Sequence, residues 1–376
     1  FSKVCPPAGS PKASPAEPGT VNYLIDRFIR PFDLSAAPLV RAGLIPREDG
    51  THILMIDMHH IISDGTSLGV LTSEFMVLYS GEELPPLRIQ YKDFSEWQNS
   101  AGQKERTARQ EEYWMSRFAG DIPVLELPYD FPRPTMRSYE GETIRFEFSE
   151  AETEGLNKIA LEQETTLYMV LLAIFYVFLQ KIGGGEDIVV GTPTAGRRHA
   201  DLEPLIGMFI NTLCIRNYPR EEKRFSDFLQ EVKTRTLEAF ENQDYPFEDL
   251  VEQLGINWDV SRNPLFDVMF VLQNMDLQEI HIPGLKLLPY SHENPISKFD
   301  LLLMSSELSG KLIFALQYST KLFRKEKIDR FIGYIREVMT RVSADVDIEL
   351  SRIKITSGLT APTSDMSREF SEEFEF

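Results

Sequence analysis

THILMIDMHHIISDGTS, residues 51–67, changes period halfway along its length. Residues 51–58 carry Ile53, Leu54, Met55 and Ile56 in the pattern of a strand, and the chain leaves that strand at His59. Beyond Gly65, Leu68, Leu71, Phe75 and Leu78 fall on one helical face, with Ser67 near the start and Gly81 just past the end. The stretch is therefore a strand, a loop and a helix, and residues 38–44 form a further strand before it.

The loop holds the residues best suited to chemistry. A histidine at a strand end can accept a proton or hold a nucleophile near neutral pH, and Gly65 permits a backbone turn that a side chain would forbid. Asp64, four residues after His60, has two possible roles: it orients the imidazole as in a triad, or it turns away and pins the loop through a buried arginine. His59 and His60 are adjacent, so in an extended chain only one of them faces a given cavity. A metal site is not expected, because adjacent ligands seldom chelate one ion and no third His or Cys lies nearby. His52, His199, His281 and His292 show no ligand spacing either. No G-x-S-x-G elbow occurs, and Gly183-Gly184-Gly185 lacks the Lys-Ser/Thr ending of a phosphate loop and reads as a turn after a helix.

Outward from this loop, 376 residues, 42% hydrophobic and 26% charged, exceed what one core fills at roughly 100–200 residues per domain, so two lobes are expected. A net charge of −19 sets the field of the chain against a nucleic-acid partner. The longest apolar run, residues 168–179, has 12 residues, short of the roughly 18–20 of a membrane span, so no membrane association is expected. Cys5 and Cys214 are the only cysteines, which argues against a disulfide framework; with no signal-peptide pattern, the cytoplasm is the expected compartment.

Along the chain, residues 1–19 read as a linker or unpacked segment, Pro-rich from residue 6, and 82–104 are polar and broken by prolines. Residues 105–118 read as a helix, and LELPYDFPRP (125–134) as an extended connector at the boundary between a first lobe, 20–130, and a second, 131–357. In the second lobe, Thr165 is the expected cap of a helix whose body is the apolar run, buried on all sides. Strands are expected at 144–148, 188–192, 209–215, 267–272, 298–304 and 311–318, and further helices from about 151, at 225–241 and at 325–342. Residues 358–376 read as an acidic tail or linker.

Several motifs then occur in one order: FIRPFDLSAAPLVRAGLI (28–45), MHHIISDGTS (58–67), IQYKDFSEWQ (89–98), YW with a following AG (113–120), GTPTAGR (191–197), IGMFINTL (206–213), QDYPFEDLV (243–251) and SRNPLFDVMF (261–270). In this the chain resembles the condensation domains of nonribosomal peptide synthetases, members of the chloramphenicol-acetyltransferase-like superfamily. The resemblance implies an α+β fold of two such lobes in a V, with the active site at their junction. It implies amide-bond formation: the α-amine of an acceptor aminoacyl thioester attacks a donor aminoacyl or peptidyl thioester. Donor and acceptor carrier proteins would bring both groups on phosphopantetheine arms, with an adenylation domain as neighbour and no cofactor held by the domain itself.

By the same resemblance His60 matches the catalytic histidine. His59 and Gly65 support the motif, and Asp64 matches a structural aspartate paired with Arg197, or with Arg198 as the alternative. Asn211 and Ser261 fall in motifs near the tunnel or supporting it. The family's opening motifs, S-x-A-Q-x-R-L-W and R-H-E-x-L-R-T, are absent, so the first lobe is expected to be incomplete. Three alternatives remain: acyl transfer from coenzyme A, although Lys298-Phe299-Asp300-Leu301-Leu302 stands where the plant branch has D-F-G-W-G; an epimerisation domain, whose signature is absent; and a non-catalytic module that docks carriers.

Overall fold

The apolar run becomes the axis of the larger lobe. In the computed structural model, which describes residues 20–256, 259–273, 281–282, 285–287, 290 and 295–355, Leu167–Gly183 form a helix whose residues 169–180 are all buried. Its cap is Thr166 rather than Thr165: the Thr166 hydroxyl accepts the Met169 N–H, and Gly184 ends the helix in the left-handed region at φ 71°. The expected segments 1–19 and 358–376 lie outside the described residues.

The elements run α1 (Val21–Phe28), β1 (Val40–Pro46), β2 (His52–Met58), α2 (Gly65–Tyr79), α3 (Tyr91–Gln98), α4 (Ala101–Arg117), β3 (Gly141–Phe148), α5 (Glu150–Glu162), α6 (Leu167–Gly183), β4 (Ile188–Thr194), β5 (Asn211–Asn217), α7 (Phe225–Glu241), α8 (Phe247–Gln253), β6 (Val268–Gln273), a two-residue pair β7 and β8 (His281–Ile282, Leu285–Lys286), β9 (Leu301–Leu308), β10 (Lys311–Ser319) and α9 (Lys325–Ala344). Six strands form one sheet in the order β3-β10-β9-β6-β4-β5, with β4, β6 and β9 parallel to one another and the other neighbours antiparallel. Helices α5, α6, α7 and α9 pack on this sheet, and their buried faces join its inner residues in one large core. The architecture is the α+β fold expected from the motifs.

Three helices, α1, α3 and α8, were not expected, and β9 begins at Leu301 where the pattern suggested 298. The core also divides earlier than the connector. Trp114 and Phe118, at the end of α4, already belong to the large core, as do Leu125 and Leu127, so the expected boundary at 125–134 falls inside a segment packed on the second lobe. The Trp114 indole N–H donates to the Asn242 carbonyl at 2.9 Å, which anchors α4 to the end of α7.

The smaller lobe, as described, is the antiparallel ribbon β1–β2 with α1 on one face, where Ile25, Ile45 and Ile53 form a small core. A third cluster joins the two lobes. Phe94 and Tyr91 of α3 pack on Phe209, Leu202 and Leu205, which lie in the segment between β4 and β5.

Candidate active site

The loop after β2 assigns different surroundings to its two histidines. His59 is still extended, with φ −70° and ψ 135°, and its Nδ1 accepts the Ile61 N–H at 3.1 Å. Its ring meets Phe32 edge-on with centroids 6.1 Å apart, so His59 is packed into the loop that carries it. His60 begins a single helical turn, His60–Ile62, and its side chain is exposed. Among the described residues, nothing hydrogen-bonds to the His60 ring.

Asp64 faces the other way, into the seam between the lobes. It caps α2: its Oδ1 accepts the Ser67 N–H at 2.8 Å and the Ser67 hydroxyl at 2.7 Å, while its Oδ2 accepts the Phe209 N–H at 3.0 Å. Arg197 Nη2 donates to Asp64 Oδ1 at 3.1 Å, with the two side chains only 3% and 2% exposed. Burial on its own would raise the Asp64 carboxyl, yet the donors from Ser67 and Phe209 and the Arg197 charge outweigh it and hold the group below the usual carboxylate range. The negative charge also lies at the N-terminus of α2, where the helix dipole favours it.

Arg197 in turn is held by its surroundings. It donates to the carbonyls of Leu202 and Leu205 at 2.5 and 2.7 Å and to the Ser67 hydroxyl at 2.9 Å, and its guanidinium lies 4.1 Å from the Phe209 ring centroid. Arg198, the alternative partner for Asp64, pairs with Asp244 instead. Two glycines make the approach possible. Gly196 has φ +65°, and a Cβ there would lie 2.0 Å from the Phe209 carbonyl oxygen; a Cβ on Gly207 would lie 2.1 Å from the Tyr91 ring. Ser67, Gly207, Phe209 and Tyr91 complete the clasp, since the Gly207 N–H donates to the Ser67 hydroxyl and the Tyr91 hydroxyl to the Met208 carbonyl. Apart from the place of Ser67 near a helix start, their signal in the sequence was membership of the motifs at 58–67, 89–98 and 206–213.

Among the described residues, Asn211 and Ser261 form no hydrogen bond with His60. The Asn211 amide donates to the carbonyls of Gln243 and Tyr245, both at 2.7 Å, and its Oδ1 accepts the Phe247 N–H at 3.2 Å, so the side chain fastens the loop from α7 to α8. Ser261 lies in a separate turn, its N–H on Asp259 and its carbonyl accepting from Arg133. There Arg133 also binds Asp300, and Arg262 binds Asp267 at 2.7 Å. Among the described residues, no three metal-ligating side chains converge.

Both the fold and much of the sequence are shared with proteins already known. Bacitracin synthase 3 of Bacillus licheniformis is 47% identical over 346 residues, covering 92% of this chain and 5% of that protein. Tyrocidine synthase 3 of Brevibacillus parabrevis is 50% identical over 337 residues, covering 90% of this chain and again 5% of the relative. The chain thus spans a small fraction of the length of the curated relatives it matches. Among solved structures, a four-domain nonribosomal peptide synthetase bound to AMP and glycine superposes with a TM-score of 0.78 at 24% identity, over 90% of this chain and 27% of that one. The X-domain from teicoplanin biosynthesis superposes at 0.80 with 23% identity, over 88% and 78%; at these identities the likeness speaks for the fold. The condensation-domain profile matches residues 14–361, nearly the whole chain, and with relatives near half identity over nine-tenths of its length the chain belongs to the condensation-domain family.

Proposed function

We propose that the chain forms an amide bond in nonribosomal peptide synthesis, between a donor aminoacyl or peptidyl thioester and the α-amine of an acceptor aminoacyl thioester. The observation that carries this reading is the division of labour in one loop: Asp64 is locked into the seam while the His60 imidazole, four residues before it, stays open. In the proposed reaction the acceptor nitrogen attacks the donor carbonyl carbon, the C–S bond breaks, and the sulfur leaves on the donor's phosphopantetheine. The amine loses one proton and the leaving thiolate takes one up. His60 can hold the neutral amine in line by hydrogen bond and accept its proton, which places one imidazole at both positioning and proton transfer.

Both substrates would arrive on carrier proteins, with an adenylation domain beside them in the cytoplasm; the relatives named above are themselves synthases of many times this length. Because the chain has a net charge of −19, attraction over long range does not bring acidic carriers to it. Docking is expected to rest on small apolar patches with single Arg or Lys residues for the pantetheine phosphate, and to weaken little between low and physiological salt. Steep loss of carrier binding over that range would point to a basic docking surface instead.

The test of the reaction is to mix the chain with a donor-loaded and an acceptor-loaded carrier and weigh the carrier-bound products. Transfer of the donor mass to the acceptor carrier is expected. Binding of both carriers with no transfer would favour the non-catalytic docking module, and, with the reaction run in D2O, a donor retained with one deuterium taken up at its α-carbon would favour epimerisation.

A further inference from the structure

The large sheet ends at β5, and a pocket of about 230 Å³ lies against that edge strand, between α4 and α7. Tyr113 and Arg117 of α4, Arg216 of β5, Tyr218 just after it and Arg235 of α7 contribute to its walls. Among the described residues the lining therefore holds three guanidinium groups and no carboxylate, in a chain whose net charge is −19.

Two of the three charges are offset from outside the pocket. Arg117 pairs with Glu238, and Arg216 pairs with Asp187, its Nε donating at 2.9 Å and its Nη2 at 2.7 Å. Arg216 also donates to the carbonyls of Arg117 and Asp121, at 3.3 and 2.9 Å, so each of its nitrogens is engaged. Arg235 is held differently. Its Nη1 donates to the Arg216 carbonyl at 2.9 Å and its guanidinium lies 4.6 Å from the Tyr218 ring centroid, but among the described residues no carboxylate pairs with it. Its Nε and Nη2 have no hydrogen-bond partner among the described residues, and neither is buried. Arg216 and Arg220 approach the same ring, at 5.8 and 5.9 Å, which adds further positive charge beside the pocket.

Like charges gathered this closely repel, and the uncompensated one faces a recess. A cation entering there would add to the repulsion, and an apolar group would cover Arg235 without giving it a partner. An anion relieves both costs. A phosphoryl group suits the geometry best, because a guanidinium fork meets its oxygens two at a time. At about 30 Å³ for each water displaced the pocket has the volume of several waters, enough for a phosphoryl group, while it stays below the about 300 Å³ at which sites for whole small molecules begin.

We propose that this pocket binds a phosphoryl group, with Arg235 as its main ligand and the Glu238 carboxylate, through Arg117, limiting the affinity. The net charge of the chain opposes the approach of any anion, so binding is short in range and depends on Arg235 itself. Two sources carry the group, free phosphate and the phosphopantetheine arm of a carrier, and the probes separate them.

Inorganic phosphate, phosphopantetheine, pantetheine and acetate are titrated calorimetrically into the intact chain at neutral pH and constant ionic strength. Phosphate and phosphopantetheine are expected to bind, with pantetheine, which lacks the phosphoryl group, about tenfold weaker or more. Equal affinities for phosphate and phosphopantetheine would assign the pocket to free phosphate; an arm bound about tenfold more tightly would assign it to the carrier. Arg235→Gln should weaken both about tenfold or more, and Arg235→Lys, which keeps the charge but not the fork, should recover part of the loss. Glu238→Gln frees the Arg117 guanidinium and should tighten phosphate severalfold. A gain of that kind does not come from misfolding, so it decides the matter if Arg235→Gln melts early. Phosphate binding no tighter than acetate, or affinities unmoved by both Arg235→Gln and Glu238→Gln, would overturn the inference.

Discussion

Removing the Arg197 side chain should open the seam between the lobes. Arg197→Ala deletes donors to the carbonyls of Leu202 and Leu205, to Asp64 and to Ser67, and leaves Asp64 buried without its cation. Breaking a buried ion pair from one side costs about 3–5 kcal/mol, and each carbonyl left without a donor adds about 1–3 kcal/mol where water cannot replace it. Loop relaxation will let water reach part of the gap, so about 4 kcal/mol is expected, a large share of the about 5–15 kcal/mol that holds a typical domain folded. The loss should also depend on pH. In the intact protein the Asp64 carboxyl is held low, so its contribution is present above the ordinary unfolded value of about 3.9 and disappears as pH falls through the lower folded value. In Arg197→Ala the Ser67 and Phe209 donors still lower the carboxyl and only the smaller effect of the guanidinium is lost, so the carboxyl rises above its place in the parent and protonation relieves part of the penalty as pH falls. The gap between the two proteins should therefore narrow as pH falls through the acid range. Urea unfolding followed by tryptophan fluorescence measures it, because the Trp97 ring lies 5.8 Å from that of Phe94, which in turn packs on Phe209 in the seam. A variant within about 1 kcal/mol of the parent at pH 7, the range of ordinary surface changes, or a gap that ignores pH, would refute the account of the clasp.

His60→Ala should abolish transfer between loaded carriers while shifting stability by no more than about 0.5 kcal/mol, since the ring is exposed; near-normal single-turnover rates would remove His60 from the chemistry. Asn211→Ala should destabilise by about 1–3 kcal/mol, because Gln243 and Tyr245 each lose a donor to their carbonyls; unchanged melting would show that water replaces the amide. Asp267 is pushed up by burial, then by the neighbouring Asp300 charge, against Arg133 and Arg262. A carboxyl raised in the folded state disfavours folding once it must ionise, so Asp267→Asn should gain stability relative to the parent as pH rises from 4 to 7, and a flat difference across that range would show that Arg262 compensates fully.

The parts of the fold that could be read in the sequence are those whose cause is local. The change of period at residues 51–67 gave β2, the loop and α2, and the all-round apolarity of residues 168–179 gave the buried α6. The helix α3 was hidden because YKDFSEWQ offers only Tyr91, Phe94 and Trp97 as apolar residues, and two of them pack on residues 202–209, more than a hundred positions away. Nothing in its own eight residues signals that partner. The prolines of 125–134 did mark an extended segment, but that Leu125 and Leu127 carry it onto the second core is again set by distant partners. Likewise the pocket beside β5 is assembled from α4, β5 and α7, so no stretch of sequence displays it.

The roles open to Asp64 were two, and the geometry separates them by counting acceptors. Both carboxylate oxygens are taken, Oδ1 by Ser67 and Arg197 and Oδ2 by the Phe209 N–H, and among the described residues no hydrogen bond joins Asp64 to His60. The carboxylate therefore does not orient the imidazole as in a triad. His59 is no substitute, because its Nδ1 already accepts the Ile61 N–H. What fixes His60 is backbone alone: the turn His60–Ile62, with α2 following, held down at Asp64 by a segment from the other lobe. An imidazole positioned in this way has no side-chain partner among the described residues to orient it, and its place in the proposed reaction is to hold an amine that is already neutral. In the proposed reaction the attacking nitrogen becomes cationic as the bond forms and sheds its proton readily, so the demand on the base is small. The demand on geometry is correspondingly large, and it falls on the seam. Loosening Asp64 or Arg197 should then slow transfer by misplacing His60 even where the protein remains folded.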